Sequence, residues 1–361
     1  VVIWCGAAIA APTIAAKGRT MRTPPDQSHL RQLSDPTAPP PSAVADAARG
    51  RRIGRVTALV RRFPLVSFFA LAYGISWFCW LPYLLSTDGL GLEPGLTLPS
   101  LLGDSQLVGV LPGAYAGPLG SALIVTALTG GRAGLRRWRR RLLRWKVTWY
   151  WYAIVLLGVP ALLVGGSLTL PGVLGDTHVP GLTIVVAYLP MLVLQMLTTG
   201  AAEEPGWRDY ALPVLQRRRG PALGTLILGV VWAGWHLPLF FTAWSLAGRD
   251  PRTGHWWATV GAFVLMAVAL SVLITWVFNH TRQSLPIALV LHASNNATAS
   301  LILPTMFPQL SPSSTIVAGV VAYGAVAVLL LAATRGRLGY RPERDEDTVA
   351  GQAAQRAASS R

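Results

Sequence analysis

Two adjacent carboxylates, Glu203 and Glu204, lie just ahead of Arg208 in AAEEPGWRDY. Further on, His236 follows Trp232 by four residues in VVWAGWHLPLFF, and Asn296 follows His292 by four in LHASNNA. Residues four apart share one face of a helix. Each pair alone has an ordinary reading: a helix ion pair, a core histidine, an asparagine joining two helices. Together they form a set that can do hydrolysis. A carboxylate and a neutral imidazole can share one water and take its proton as it attacks a carbonyl. An Asn amide and a His N–H can then meet the developing oxyanion. Neither Ser294, beside His292 but not one turn away, nor Cys79 reads as an activated nucleophile, so direct attack by water is favoured over an acyl-enzyme. A zinc scheme stays open beside the metal-free one: if a divalent metal such as Zn2+ is held, Glu203, His236 and His292 are its ligands, although no HExxH spacing is present.

The elements that must position these residues are apolar. Hydrophobic residues make up 52% of the 361-residue chain, charged residues 13%, and 14 residues are Trp. So little charge cannot cover a soluble surface of this size, and lipid must act as the solvent for much of it. The composition argues against a disordered chain, a disulfide scaffold or a coiled coil, and the two cysteines, Cys5 and Cys79, have no metal or redox spacing. Eight apolar segments are each long enough to cross about 30 Å of hydrocarbon: 63–85, 107–129, 149–170, 181–202, 221–243, 257–278, 285–303 and 317–334. The expected fold is an all-α membrane bundle over 63–334, with its chemistry in a core at 180–300. Residues 1–62 and 335–361 are expected to be cytoplasmic tails, the first of them disordered.

The net charge of +16 is a topological signal. Assigned to the loops and flanks of the eight segments, 24 basic residues fall on one side, against Arg249 and Arg252 on the other. Under the positive-inside rule this places both termini in the cytoplasm and requires an even number of spans. The Arg- and Trp-rich stretch 131–148 reads as an amphipathic helix on anionic headgroups, not a nucleic-acid patch.

The three motifs in this order resemble the CPBP family of intramembrane proteases (Abi/CAAX proteases), bacterial relatives of the type II CAAX prenyl endopeptidases. The family's EExxxR pattern matches Glu203, Glu204 and Arg208. Its FxxxH pattern matches Trp232 and His236, with Trp for Phe, and its HxxxN pattern matches His292 and Asn296. The resemblance is strong over residues 180–300. It implies that Glu203 is the general base, Glu204 a supporting carboxylate and Arg208 the group holding both. It further implies that His236 assists water activation, that His292 and Asn296 stabilise the oxyanion, and that Trp232 lines the cavity. The implied partners are a peptide or lipidated membrane protein and the bilayer, not a nucleic acid. Eukaryotic members act on prenylated proteins from a site opening to the cytoplasm. A non-catalytic sequestration module is the alternative use of such a cavity. A transporter is disfavoured by the lack of detectable repeats.

One expectation carries a geometric tension. A fifth helix starting at Pro221 places His236 about 22 Å along its axis, whereas Glu203 is expected at the cytoplasmic end of the fourth. For the two to meet, either the fifth helix starts in the cytoplasm or the fourth runs beyond 202.

Overall fold

A computed structural model describes residues 54–342, except 56, 104, 246 and 247. Among these residues the structure is all-helical, with no β-sheet. Helices follow from the solvent: within hydrocarbon each backbone N–H and C=O must be satisfied inside its own segment.

Among the described residues, seven helices are long and apolar enough to cross a membrane, and the protein is a multi-pass membrane protein. They are α1 Pro64–Leu85, α2 Gln106–Leu142, α3 Trp149–Leu168, α4 Leu182–Arg219, α5 Pro221–Phe241, α6 Gly254–His280 and, last in the chain, α8 Pro312–Ala333. The remaining expected segment is also helical, over residues 285–306 (α7). His292, Ser294, Asn295 and Asn296 dilute its apolar character, and it is not among the seven. Nearly all of its first thirteen residues are buried. A helix enclosed on every side sits in the core of its bundle. The face left to lipid is plain on α4, where Leu182, Val186, Leu189, Val193 and Leu197 recur every three to four residues and are exposed.

The fourth helix decides between two expectations. The expected end near residue 202 is overturned, and the stated alternative, that the helix runs beyond 202, is the one found: it continues to Arg219. The reason is packing, since Trp207, Ala211, Leu212 and Leu215 are all buried. Gly220 then turns the chain at φ 78°, a conformation that suits glycine, and Pro221 opens α5. Glu203 lies seventeen residues before Gly220, and His236 lies sixteen after it. The two arms of this hairpin are nearly equal, so the two side chains meet, and the tension posed by the sequence disappears.

The helices are not uniform. Wider π-helical stretches interrupt them at Tyr115–Leu119, Ile154–Gly158, Met196–Gly200, Pro205–Ala211 and Thr298–Ile302. Such insertions often accompany functional sites, and two of them flank Glu203 and Glu204. The α2 and α4 insertions touch at Gly206, where a Cβ would fall 2.6 Å from the Pro118 carbonyl oxygen and 2.7 Å from its carbon. Backbone atoms cannot step aside as a side-chain tip can. Gly206→Ala is therefore expected to destabilise the protein by about 1–3 kcal/mol, the usual range for overpacking. A thermal melt in detergent checks it.

The stretch 131–148 is helical as expected as far as Leu142, but as an extension of a span rather than a separate helix. After a kink at Gly131 (φ 54°, ψ −150°), α2 runs on to Leu142. Arg141 leaves the surface altogether: its Nε lies 2.5 Å from Asp209 Oδ1, and its Nη1 donates to Gln283 Oε1 at 3.0 Å. Asp209 is itself 1% exposed. It is thus a third acid inside the bundle, where sequence alone placed it in a loop.

These contacts define one end of the bundle, which gathers Arg141, Asp209 and Gln283, Arg61 bonded to the Leu128 carbonyl, and Arg144 bonded to that of Arg282. At the other end the 86–105 and 242–253 loops join, Ala243 N donating to Asp88 O, and Arg249 Nη1 to Thr87 O and Gly89 O. Of the expected tails, residues 1–53 and 343–361 lie outside the described residues. The described start of the second one packs back, with Leu338 buried and its carbonyl accepting from Asn279 Nδ2 at 3.0 Å.

Candidate active site

Adjacent residues on a helix point about 100° apart, so Glu203 and Glu204 face different neighbours. Glu203 lines a cavity of about 400 Å³. Trp232, His236, His292, Asn295 and Asn296 share its wall, and Glu204 and Arg208 do not. Among the described residues, Glu203 is the only Asp, Glu, Lys or Arg that lines the cavity.

At the cavity, Trp232 Nε1 donates to Glu203 Oε2 at 2.7 Å. His236 Nδ1 lies 2.9 Å from the Trp232 carbonyl oxygen. A carbonyl only accepts, so Nδ1 carries the proton and Nε2 presents its lone pair. That lone pair lies 3.9 Å from Glu203 Oε2. The distance is too long for a direct hydrogen bond, and both atoms are acceptors. One water placed between them can donate a hydrogen to each. Trp235, Trp244 and Phe263 enclose the imidazole, with ring centroids 4.7, 5.6 and 5.2 Å away.

Behind the wall, Glu204 works on its neighbours. Its Oε1 accepts from His292 Nδ1 at 2.8 Å, and its Oε2 forms an ion pair with Arg208 Nε at 3.4 Å that falls short of hydrogen-bond geometry. Glu204 and Arg208 both have no solvent exposure. Arg208 Nη2 reaches Ser271 Oγ at 3.3 Å, and its guanidinium carbon lies 4.5 Å from the centre of the Trp232 ring. This cation–π contact also ties the arginine to the cavity wall.

On α7, His292 and Asn296 both line the cavity, as their four-residue spacing predicts. Asn296 Nδ2 donates to Thr199 Oγ1 at 3.1 Å, and its Oδ1 accepts from Asn295 Nδ2 at 2.8 Å. Asn295 Oδ1 in turn accepts from Tyr323 OH at 2.8 Å. Thus Glu203, Glu204, Arg208, Trp232, His236, His292 and Asn296 all come together, in two layers. Sequence reasoning missed Asn295, Tyr323, Thr199 and Ser271. Asn295 stood beside Asn296, but no spacing marked the other three.

Among the described residues no group of three or more His, Cys, Asp or Glu side chains placed to hold a metal ion is found. Nδ1 of each histidine bonds to Trp232 O or Glu204, which leaves Nε2 of both free, and one Glu203 oxygen is held by an indole N–H. The set as arranged has room for a shared water.

Residues 185–298, which contain Glu203, Glu204, Arg208, Trp232, His236, His292 and Asn296, match the family model described as type II CAAX prenyl endopeptidase Rce1-like. The chain is also 28% identical over 176 residues to CAAX prenyl protease 2 of Methanococcus maripaludis, covering 49% of this chain and 59% of that relative. The chain thus spans about six-tenths of the length of the curated relative it matches. Over this segment, the protein is similar to the Rce1-like CAAX prenyl protease (CPBP/Abi) family.

Proposed function

We propose that the protein is an intramembrane endopeptidase that hydrolyses a peptide bond with a water activated jointly by Glu203 and His236. The observation that carries this reading is the pair of acceptors, Glu203 Oε2 and His236 Nε2, set 3.9 Å apart in the cavity wall. Glu203 takes a proton from the water as its oxygen bonds to the substrate carbonyl carbon. The carbonyl oxygen becomes an oxyanion. Asn296, whose amide keeps a second hydrogen after bonding Thr199, donates to it. His292 donates from Nε2 as an imidazolium, with the Glu204 carboxylate on Nδ1 supporting that charge. The tetrahedral intermediate then collapses. The C–N bond breaks, and Glu203 returns the proton to the leaving amine. Arg208 holds Glu204, and Trp232 orients Glu203.

The substrate is an apolar peptide or a lipidated segment of a membrane protein, which the Leu-, Trp- and Phe-rich wall suits. The reaction is metal-free in this reading. The protein resides in the cell membrane, with its arginine-rich end and both tails in the cytoplasm.

The test is cleavage of a quenched fluorescent apolar peptide by the purified protein in detergent, in metal-free buffer with a strong chelator. Cleavage at the same rate with and without chelator is expected. Absence of cleavage defeats the function. Loss with chelator and restoration by zinc defeats the metal-free chemistry. Asn296→Ala is expected to lower kcat about 10²–10³-fold, as loss of one oxyanion donor does.

A further inference from the structure

We infer that a second cavity, at the arginine-rich end of the bundle, binds the phosphate of an anionic lipid headgroup. This cavity is separate from the one that holds Glu203 and His236, and the inference does not rest on the peptidase reading.

The second cavity has a volume of about 690 Å³. Its walls come from the start of α1, from α2 on both sides of its kink, and from the last part of α4. Among the described residues five arginines line it, Arg61, Arg137, Arg141, Arg217 and Arg218, against one acid, Asp209. Asp209 Oδ1 lies 2.5 Å from Arg141 Nε. One carboxylate against five guanidiniums leaves the wall a surplus of four positive charges. Such a wall repels a cation and draws an anion. Phosphate is the anion that suits it, because a guanidinium fork meets two phosphate oxygens at once. Thr126 and Tyr210 share the wall and bring hydroxyl groups to it.

The kink at Gly131 builds the cavity. Gly134 returns against Thr126, so that a Cβ on Gly134 would stand 3.1 Å from Thr126 Cγ2. In a straight helix, residues eight apart are separated by about 12 Å along the axis. The limb after Gly131 therefore folds beside the limb before it, and Arg137 and Arg141 face the gap next to α4. From sequence this stretch reads as a helix lying on headgroups. In the structure two of its arginines turn inward, and a headgroup would enter the protein between helices.

Depth and surroundings select a lipid as the source of the phosphate. Arg61 lies three residues before Pro64, where the first span begins, and Arg217 and Arg218 are in the last turn of α4. The cavity thus sits where the spans end and hydrocarbon gives way to the headgroup layer. Beside it on α1, Phe63 and Val66 are exposed. Acyl chains can lie on that apolar face while the phosphate enters among the arginines. Basic pockets between spanning helices take anionic headgroups in this way.

The test is lipid binding by the purified full-length protein, read by native mass spectrometry on release from detergent. Phosphatidylglycerol and phosphatidylcholine are titrated separately, and inorganic phosphate is then added as a competitor. One phosphatidylglycerol is expected to bind more tightly than phosphatidylcholine and to resist displacement by phosphate. Arg137→Gln with Arg218→Gln is expected to weaken it about 25-fold, at about fivefold per arginine near a membrane surface. Arg139→Gln with Arg140→Gln removes the same charge from exposed positions of the same limb that do not line the cavity, and is expected to leave the affinity nearly unchanged. Arg141 is kept, since its loss would strand the buried Asp209. A thermal melt accompanies each variant. Should the first pair not fold, Arg61→Gln with Arg218→Gln takes its place, with the same loss expected. Equal weakening by the cavity pair and the control pair overturns the site in favour of diffuse surface charge. Equal affinity for the two lipids overturns it as well. Displacement by inorganic phosphate overturns the lipid and leaves a free anion as the ligand.

Discussion

Glu203→Gln is expected to lower kcat for peptide cleavage by about 10³-fold while leaving the fold intact. General base catalysis contributes about 10²–10⁴, and a 10³-fold loss corresponds to about 4 kcal/mol of transition-state stabilisation. Gln retains a carbonyl oxygen that can accept the Trp232 N–H bond now made at 2.7 Å, so the wall keeps its shape. It loses the negative charge and the capacity to take a proton from water. The measurement is kcat at saturating peptide beside a melt of each variant. Wild-type kcat in the Gln variant would remove Glu203 from the chemistry. Trp232→Phe makes a useful contrast. The family pattern has Phe at this position, so the indole bond to Glu203 is a local addition. Losing one hydrogen bond to a charged group corresponds to about 1.5–3 kcal/mol at most, well below the loss for Glu203→Gln.

The second large effect falls on stability. Arg208→Ala strips the counter-charge from Glu204, which has no solvent exposure. Removing one partner of a buried ion pair costs about 3–5 kcal/mol, because the remaining charge cannot be solvated. Arg208 also bonds Ser271 and covers the Trp232 ring, so the cavity wall loosens at the same time. We expect a melting point lower by about 10 °C, at roughly 2–4 °C per kcal/mol for a chain of this size. Glu204→Gln in the same chain should recover part of that loss, because the stranded charge is gone. An Arg208→Ala protein that melts with the wild type would show that the pair is not a structural brace.

The helices were largely legible in the sequence, since each expected apolar segment coincides with a helix. The three motifs were legible as well: four-residue spacing placed His292 and Asn296 on one wall without knowledge of any neighbour. The end of α4 was not. Residues 204–220 contain four arginines, and local charge suggests a loop, whereas burial of Trp207, Ala211 and Leu212 keeps the stretch helical. Asp209 was hidden for the same reason. Its partner Arg141 lies 68 residues away, across two helices, and no local pattern signals such a pairing. The division of work between Glu203 and Glu204 was implied only by resemblance. Geometry supplies a cause, in that neighbours on a helix diverge by about 100° and only one can look into the cavity.

The hairpin through Gly220 has a consequence for how such a sequence can drift. Because both arms are measured from one turn, the thirty-three residues from Glu203 to His236 form a ruler. Deleting a single residue from α5 would withdraw His236 by about 1.5 Å and swing it by about 100°, parting the two acceptors that must hold one water. The connection at 169–181 lies outside this interval and bonds to Met306 and Gln309, so it can lengthen or shorten without changing the ruler. Variation in this fold is therefore free in some intervals and locked in this one, and a shared interval of this length identifies kinship where residue identity has faded.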